Sequence, residues 1–189
     1  MPTDRNVKKQ EIAVYAQTLI DNAGSDDEVF DLSGEIAEVV KAALASSQLR
    51  TSLADTSIAA DDRVKICDAI FAGTGTSLMA VLEVMTERGD IDLLPRVAEA
   101  YDDMAERRLA ATFVTVTTAV SLDDKLREKV SNKLASDFGT DIRLREIVDP
   151  SIIGGIIMSA HGKRIDASIT SQLENARAVL STTSTGGER

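Results

Sequence analysis

The spacing of apolar residues changes near residue 108, and this change limits the chain to a fold with two differently built parts. Before that point apolar side chains recur every three to four residues, which is the period of an amphipathic helix. From Thr112 to Val120 they alternate with polar ones, with Val114 and Val116 set between threonines, which is typical of a β-strand. The sequence therefore predicts an α+β fold, with an N-terminal helical part and a C-terminal part that contains a sheet.

Six helices are predicted before the change of period. The first covers residues 6–23, and a capping box from Ser25 to Glu28 opens the second. The fifth ends at Gly89, and Pro95 falls in the first turns of the sixth, where proline is tolerated. Aromatic residues make up only 3% of the chain and Trp is absent, so Leu, Ile, Val and Ala must fill the core. These features predict an all-α six-helix bundle over residues 1–106.

The C-terminal part is predicted to follow the order β-α-β-β-β-α over residues 107–181. Its most informative stretch, from Ile147 to Ser168, reads IVDPSIIGGIIMSAHGKRIDAS. It contains a turn at Asp149-Pro150, two glycines, a hairpin at His161-Gly162 and a serine that can cap the last helix. The apolar residues of that helix recur at helical spacing: Ile169, Leu173, Ala176 and Leu180. We expect a small α/β domain with a short mixed sheet, followed by a disordered tail at residues 182–189.

The net charge of −10 is concentrated in the front part of the chain. Residues 1–105 hold 20 Asp and Glu against 9 Lys and Arg, whereas residues 106–189 hold 11 against 12. Nucleic acids and anionic lipids attract clustered cations, so the acidic front part argues against both as partners. No run of about 18 apolar residues is present, so no membrane insertion is expected. The charge fits a neutral or basic protein partner, and solubility alone explains it equally well.

No catalytic or metal-binding constellation can be recognised. Cys67 and His161 are the only Cys and His in the chain, which excludes the usual zinc ligand sets. The glycine-rich segment from Gly73 to Ser77 lacks the lysine of a phosphate-binding loop, so we interpret it as a linker between helices. A small enzyme that uses the α/β part is disfavoured because no acid, base and nucleophile converge. We therefore expect no enzymatic activity, no cofactor and no metal.

Three motifs, in this order, resemble the delta subunit family of rotary ATP synthases, which is called OSCP in mitochondria. Tyr15-Ala16-x-x-Leu19 is similar to the motif of the family's first helix. Glu87 to Pro95 (ERGDIDLLP) is similar to the start of its sixth helix, and Ile147 to Ser168 is similar to its C-terminal signature. Two positions depart from the family pattern, because Ala167 stands where glycine is usual and Ser159 where arginine is common.

The resemblance implies a non-catalytic stator subunit that links the catalytic head to the peripheral stalk and holds the head against rotor torque. The N-terminal domain would bind the amphipathic N-terminal helix of the alpha subunit in a groove between helices one and five. The C-terminal domain would bind the C-terminal end of the b-subunit stalk. The candidate groove residues, which lie on the wide apolar faces of those two helices, are Tyr15, Ala16, Leu19, Ile20, Met79, Leu82 and Met85.

The resemblance also implies a location and a mode of assembly. The chain would be a monomer within a hetero-oligomeric complex, held at the cytoplasmic face of the plasma membrane and bacterial rather than organellar. The alternative function is an unrelated helical-bundle adaptor or regulatory protein that binds an amphipathic partner helix.

Overall fold

The computed structural model describes residues 4–161 and 163–183, without the side chains of residues 4, 5 and 178–183. The chain divides between Leu109 and Ala110 into two compact units, here called the helical unit and the sheet unit. Helices predominate and the strands form one mixed sheet, so the predicted α+β class is confirmed. Gly162, the side chain of Leu180 and residues 184–189 of the predicted tail lie outside the described residues, whereas residues 182 and 183 end the last helix.

Two helix ends of the helical unit lie where the sequence predicts a capping residue. Ser25 accepts the Glu28 N–H at 3.2 Å, which confirms the predicted N-cap. Gly89 adopts a φ of 75° and ends the fifth helix, also as predicted. A short 3-10 helix, Ile91–Leu93, leads into the sixth. The helices are α1 Asp4–Asn22, α2 Asp26–Ala45, α3 Ser47–Ala54, α4 Ala60–Ile70, α5 Thr76–Arg88 and α6 Leu94–Leu109.

Helix α6 packs against both α1 and α2. Tyr101 of α6 is fully buried, and its hydroxyl donates to the Val29 carbonyl of α2 at 2.9 Å. Arg108 donates to the Ile20 carbonyl near the C-terminal end of α1 at 2.9 Å. A cation at this end also interacts favourably with the helix dipole. These two contacts set the positions of α1 and α2 relative to α6.

A buried arginine joins three of the other helices. Arg63 of α4 is buried, although its sequence context reads as a polar helix start. Its guanidinium donates to the carbonyl of Leu53 in α3 at 3.4 Å and to the carbonyl of Glu87 in α5 at 3.1 Å. Both acceptors lie in the last turn of their helices, where carbonyls lack partners within the helix. The cation therefore satisfies two helix ends at once.

The sheet unit follows the predicted order β-α-β-β-β-α. Its strand order is β2-β1-β3-β4, in which β1 and β2 are parallel and the other neighbours antiparallel. Helix α7 connects the parallel pair, as a parallel connection requires, and its Leu134 packs on Val114 and Val116 of β1. The elements are β1 Ala111–Thr118, α7 Asp124–Phe138, β2 Asp141–Val148, β3 Gly155–Ala160, β4 Lys163–Ser168 and α8 Ile169–Thr183, with a 3-10 turn at Pro150–Ile152.

The paired glycines allow β3 to start directly against the junction of β4 and α8. The Gly154 carbonyl accepts the Ile169 N–H at 3.0 Å. Gly155 has a φ of 86°, and a Cβ on it would lie 2.5 Å from the Ala167 carbonyl oxygen. Any side chain at position 155 would therefore be strained and would also collide with backbone.

Replacing Gly155 by alanine should destabilise the sheet unit by about 3 kcal/mol, because backbone strain and overpacking add. The matched control is Gly139→Ala, at a φ of 71° with no atom within 4 Å of the added Cβ. The control should cost only about 1 kcal/mol. Urea unfolding followed by circular dichroism measures both values, and equal losses would contradict the crowding seen at Gly155.

Candidate partner-binding surfaces

The predicted groove residues lie mainly inside the helical unit. Tyr15, Ala16, Leu19 and Ile20 of α1 are buried, as are Leu82 and Met85 of α5. Met79 is the half-buried member of the set. The structure therefore brings these residues into the core of one unit, and six of the seven side chains expose little surface.

Helices α1 and α5 nevertheless lie side by side, in opposite directions. Arg88, at the end of α5, forms an ion pair with Glu11 near the middle of α1 at 2.5 Å. Residues 75–78, at the start of α5, instead line a cavity together with Asn22, the last residue of α1, and Ala23, which follows it. One outer face is consequently shared by the two helices.

Charged and phenolic groups hold this pair of helices together at one end. Arg88 also donates to Asp90 at 3.0 Å, and the Tyr15 hydroxyl donates to the same carboxylate at 3.4 Å. The hydrogen bond to Asp90 raises the pKa of the Arg88 guanidinium. Burial is the main cause that raises the pKa of Tyr15. Both groups keep their protons at neutral pH and serve as donors to Asp90.

The outer face carries apolar side chains that a partner can reach. Val14 is 63% exposed and Val84 is 45% exposed. Val14 follows Glu11 by three residues and Val84 precedes Arg88 by four, so both lie on the side where the two helices meet. Val7, one turn before Glu11, is also exposed. We call Val7, Val14 and Val84, with Glu11 and Arg88, the α1–α5 face.

Sequence reasoning missed Val7 and Val14, the exposed apolar members of this face on α1. The predicted apolar stripe of α1 runs through its inward positions, and Val14 stands outside that stripe. The sequence does contain a signal for Val14, namely an apolar residue outside the inward-facing stripe. A helix that only packs against a core has polar residues on its outer side.

The sheet unit carries a second exposed apolar cluster, next to the glycine pair. Ile153 is 69% exposed, and Leu173 and Ile169 of α8 are 61% and 43% exposed. Ile169 reaches Gly154, because a Cβ on that glycine would lie 2.9 Å from the isoleucine Cδ1. We call Ile153, Ile169 and Leu173 the turn–α8 patch. The helical spacing of Ile169 and Leu173 in the sequence does not indicate their exposure, and α8 leaves both side chains at the surface.

Ile153 is held in a strained backbone conformation. Its φ is 63° and its ψ is −42°, and the Gly154 N–H donates across it to the Ile152 carbonyl at 2.6 Å. This is a γ-turn of the rare kind with positive φ at its centre, and a β-branched residue there is unfavourable. The Thr170 hydroxyl also donates to the Ile152 carbonyl at 3.2 Å, which fixes the turn on α8. An exposed apolar side chain on a strained backbone is typical of a functional position.

The Asp-x-Ser motif before α8 has a structural role. Asp166 accepts the Ser168 N–H at 3.0 Å, and Ser168 caps α8 by accepting the Ser171 N–H at 3.2 Å, as predicted. Hydrogen bonds from Ser168 are the main cause that lowers the pKa of Asp166 to about 2. The intervening Ala167 is half-buried, and Ser159 pairs with Arg164 across the β3–β4 ladder. The motif therefore anchors the helix that carries the turn–α8 patch.

The residues considered as candidates for catalysis, metal binding or phosphate binding are all engaged in contacts within the fold. Cys67 is buried, and burial raises the pKa of its thiol. His161 packs edge-on against Phe138, with ring centres 6.2 Å apart. In the glycine-rich linker the Gly75 N–H donates to the Glu35 carboxylate at 3.0 Å. A carboxylate of the protein itself thus occupies the donor that a phosphate would need.

Neither a metal-binding cluster nor a membrane-spanning helix is present among the described residues. Residues 4–161 and 163–183 hold no group of three or more His, Cys, Asp or Glu side chains arranged to bind a metal ion. The helices in this same part of the chain are all too short or too polar to cross a membrane.

Comparison with known proteins places both units in one family. The model of the ATP synthase delta (OSCP) subunit family matches residues 12–180. The chain is 31% identical over 163 residues to ATP synthase subunit delta of Rhodopirellula baltica, covering 86% of this chain and 70% of that protein. It is 29% identical over 180 residues to ATP synthase subunit delta of Lactobacillus acidophilus, covering 92% and 97%.

Solved structures that resemble this chain include one with a similar fold over most of its length. It is a chain of the mitochondrial ATP synthase hexamer of Toxoplasma gondii, with a TM-score of 0.52 and 17% identity. The likeness covers 89% of this chain and 96% of that chain.

The low pKa of Asp166 predicts a stability difference that depends on pH. The folded-state pKa is about 2, below the ordinary 3.8, so the ionised carboxylate stabilises the fold above about pH 4 and this effect is lost as pH falls to about 2. Asp166→Asn should therefore lower Tm at pH 7 and converge with the parent chain near pH 2. Thermal unfolding at several pH values measures this. Asp137→Asn, which removes an exposed ion pair with Lys133, is the control and should shift Tm less.

Proposed function

This chain belongs to the ATP synthase delta (OSCP) subunit family, and we propose that it is the non-catalytic stator subunit that links the catalytic head of a rotary ATP synthase to its peripheral stalk. The observation that carries this function is the family match over residues 12–180, which spans both compact units. A linker that resists rotor torque needs two attachment sites. Each unit has an exposed apolar surface that can serve as one.

We propose that the subunit takes no chemical part in ATP synthesis. Its groups with shifted pKa values are each engaged in holding the fold together. Glu146, for example, accepts the Leu122 N–H and pairs with Arg127, and these contacts lower its pKa and fasten α7 to β2. The contacts at the start of α8 explain the lowered pKa of Asp166, and burial explains the raised pKa of Cys67. A shifted pKa at such a group is explained by its structural contacts and does not indicate catalysis.

We propose that α1–α6 form one bundle, and that the division after Leu109 separates two domains with different partners. The bundle would bind the N-terminal helix of the alpha subunit on the α1–α5 face. A helix that docks there would place an apolar stripe over Val14 and Val84, and its polar edge near Glu11 and Arg88. The buried set predicted from the sequence, with Met79 at its edge, would support this face from beneath.

The charge of the bundle favours such a ligand when the ligand is neutral or basic. Residues 1–105 carry a net charge of −11, which attracts cationic segments and speeds their association. A single docked helix binds at roughly micromolar strength, or about −8 kcal/mol.

We propose that the sheet unit binds the C-terminal end of the b-subunit stalk through the turn–α8 patch. Ile153, Ile169 and Leu173 present three apolar side chains in one cluster, which is the kind of anchor that an amphipathic helix buries. The departures at Ser159 and Ala167 lie in β3 and β4 and leave this cluster intact. With both ends attached, the effective affinity of the link rises by roughly 10² to 10⁴.

We further propose that the subunit is a monomer within the complex and is held at the cytoplasmic face of a bacterial plasma membrane. Its bacterial relatives support this location. Attachment would come from the other subunits, since the helices of the described part do not span a membrane.

Substitution of the exposed valines tests the head attachment. Val14→Asp and Val84→Asp should each weaken binding of a synthetic peptide, the first ~20 residues of the alpha chain from the same organism, at least about tenfold, because a carboxylate would be buried against the peptide's apolar stripe. Calorimetric titration of the full chain measures the affinity.

Val120→Asp, at an exposed valine of the sheet unit, is the matched control and should bind as the parent chain does. If the α1 and α5 variants also bind normally while the parent chain binds the peptide, the α1–α5 face is the wrong surface.

Relief of the strain at Ile153 tests the stalk attachment. Ile153→Gly should leave Tm unchanged or raise it, because glycine adopts positive φ freely and the lost side chain is mostly exposed. The same change should weaken binding to a peptide from the C-terminal end of the b-subunit stalk at least about fivefold, since an anchor is removed. Leu126→Ala, at an exposed position of α7, is the control and should bind as the parent chain does. Unaltered binding by Ile153→Gly would rule out the turn as a contact.

A further inference from the structure

A second groove runs along the helical unit, between α1 and α6. It encloses a cavity of about 300 Å³. Its floor includes Ala13, Ala100 and Met104, which are all half-buried. Alanine on both helices lets the backbone of a third element come close, and methionine adapts to the side chains it meets. The lining residues extend from residue 96 to residue 107 along α6, which is about 16 Å of helix.

One edge of this groove carries four charged side chains in a row. Arg96, Glu99, Asp103 and Arg107 of α6 line the cavity. Their spacing of three, four and four residues places them on one side of the helix. The row therefore reads positive, negative, negative, positive over eleven residues, or about 16 Å of helix. We call it the α6 charge row.

The four members of the α6 charge row are exposed and available to a ligand. Within the described part of the chain, they make no ion pair with one another or with any other residue. The α1–α5 face differs in this respect, because there Arg88 is already paired with Glu11 and Asp90. The charges beside the α1–α6 groove can thus select a partner, whereas those of the α1–α5 face are satisfied internally.

We propose that the α1–α6 groove binds an amphipathic helix of another protein, whose narrow apolar ridge is flanked by a row of acidic, basic, basic and acidic residues. Such a row meets each member of the α6 charge row with an opposite charge. A facing helix presents its side chains at the same three- and four-residue spacing, so that four pairs form together. An extended strand rises about 3.3 Å per residue, and only every second side chain points to the same face. Its charged side chains would therefore not match the spacing of the α6 charge row.

A second copy of this chain that packs α6 on α6, with the two charge rows in register, does not fit the groove. The α6 charge row reads the same in both directions, so two copies would oppose arginine to arginine and carboxylate to carboxylate in either alignment. Like charges placed opposite each other are repulsive. The same symmetry means that the partner helix can lie in either direction.

Two designed peptides of identical composition test the proposal. Both are 16-residue helices with an Ala/Leu ridge, and they differ only in the flanking row, which reads Glu-Lys-Lys-Glu in the matched peptide and Lys-Glu-Glu-Lys in the inverted peptide. The protein is the full chain, compared with a variant that carries Arg96→Glu, Glu99→Arg, Asp103→Arg and Arg107→Glu and keeps the same net charge. Fluorescence anisotropy of labelled peptide at low salt measures the affinities.

The parent chain should prefer the matched peptide about tenfold, and the variant should prefer the inverted peptide to a similar degree. The preference should shrink in about 1 M salt, because the pairs are exposed. Val84→Asp should leave it unchanged, which separates this groove from the α1–α5 face. Circular dichroism checks that the variant is folded. The single substitution Arg107→Glu should reduce the preference for the matched peptide, by less than the four substitutions together.

Three results would overturn the proposal. One is equal affinity of the parent chain for both peptides, and another is no binding of either peptide up to about 1 mM. The third is dimerisation of the parent chain that the four substitutions abolish in sedimentation experiments, which would make a second copy the occupant.

Discussion

The packing of α1 against α6 is the constraint on which both surfaces of the helical unit depend. Arg108 holds the end of α1 through the Ile20 carbonyl, and the buried Tyr101 ties α6 to α2. Burial raises the pKa of Tyr101, so that its hydroxyl remains a donor at any physiological pH. With α1 fixed in this way, one of its sides meets α5 and another borders the groove beside α6. A shift of α1 would alter both surfaces together.

The same packing explains why the residues that resemble the family's first-helix motif are mostly buried. Tyr15, Ala16 and Leu19 fill the core, and in doing so they turn Val14 outward. If α1 both packs within the helical unit and binds a ligand, as proposed, it must divide its apolar residues between two sides. In the sheet unit the division differs, because a γ-turn and not a helix face raises Ile153 above the surface. Strain there is offset by the contacts of the turn with α8.

Much of the fold could be predicted because its signals are local. The change from helical to alternating period predicts the α+β class, Ser25 and Ser168 are recognisable as caps, and the glycine pair is recognisable as a special backbone site. Exposure could not be predicted in the same way, because it depends on which helices become neighbours. Periodicity gives no indication that Leu173 is exposed or that Arg63 is buried between the ends of α3 and α5. Side-chain roles that depend on contacts between residues far apart in the chain leave no local pattern in the sequence.

An exposed apolar surface on each of the two compact units suits the proposed function, in which the protein transmits force between two partners. The most direct test is sedimentation of the catalytic head with membranes that have been stripped of both the head and this protein. The head should sediment with the membranes when the full chain is added, and should remain in solution when the chain is omitted. Sedimentation of the head to the same extent with and without the chain would contradict the stator function.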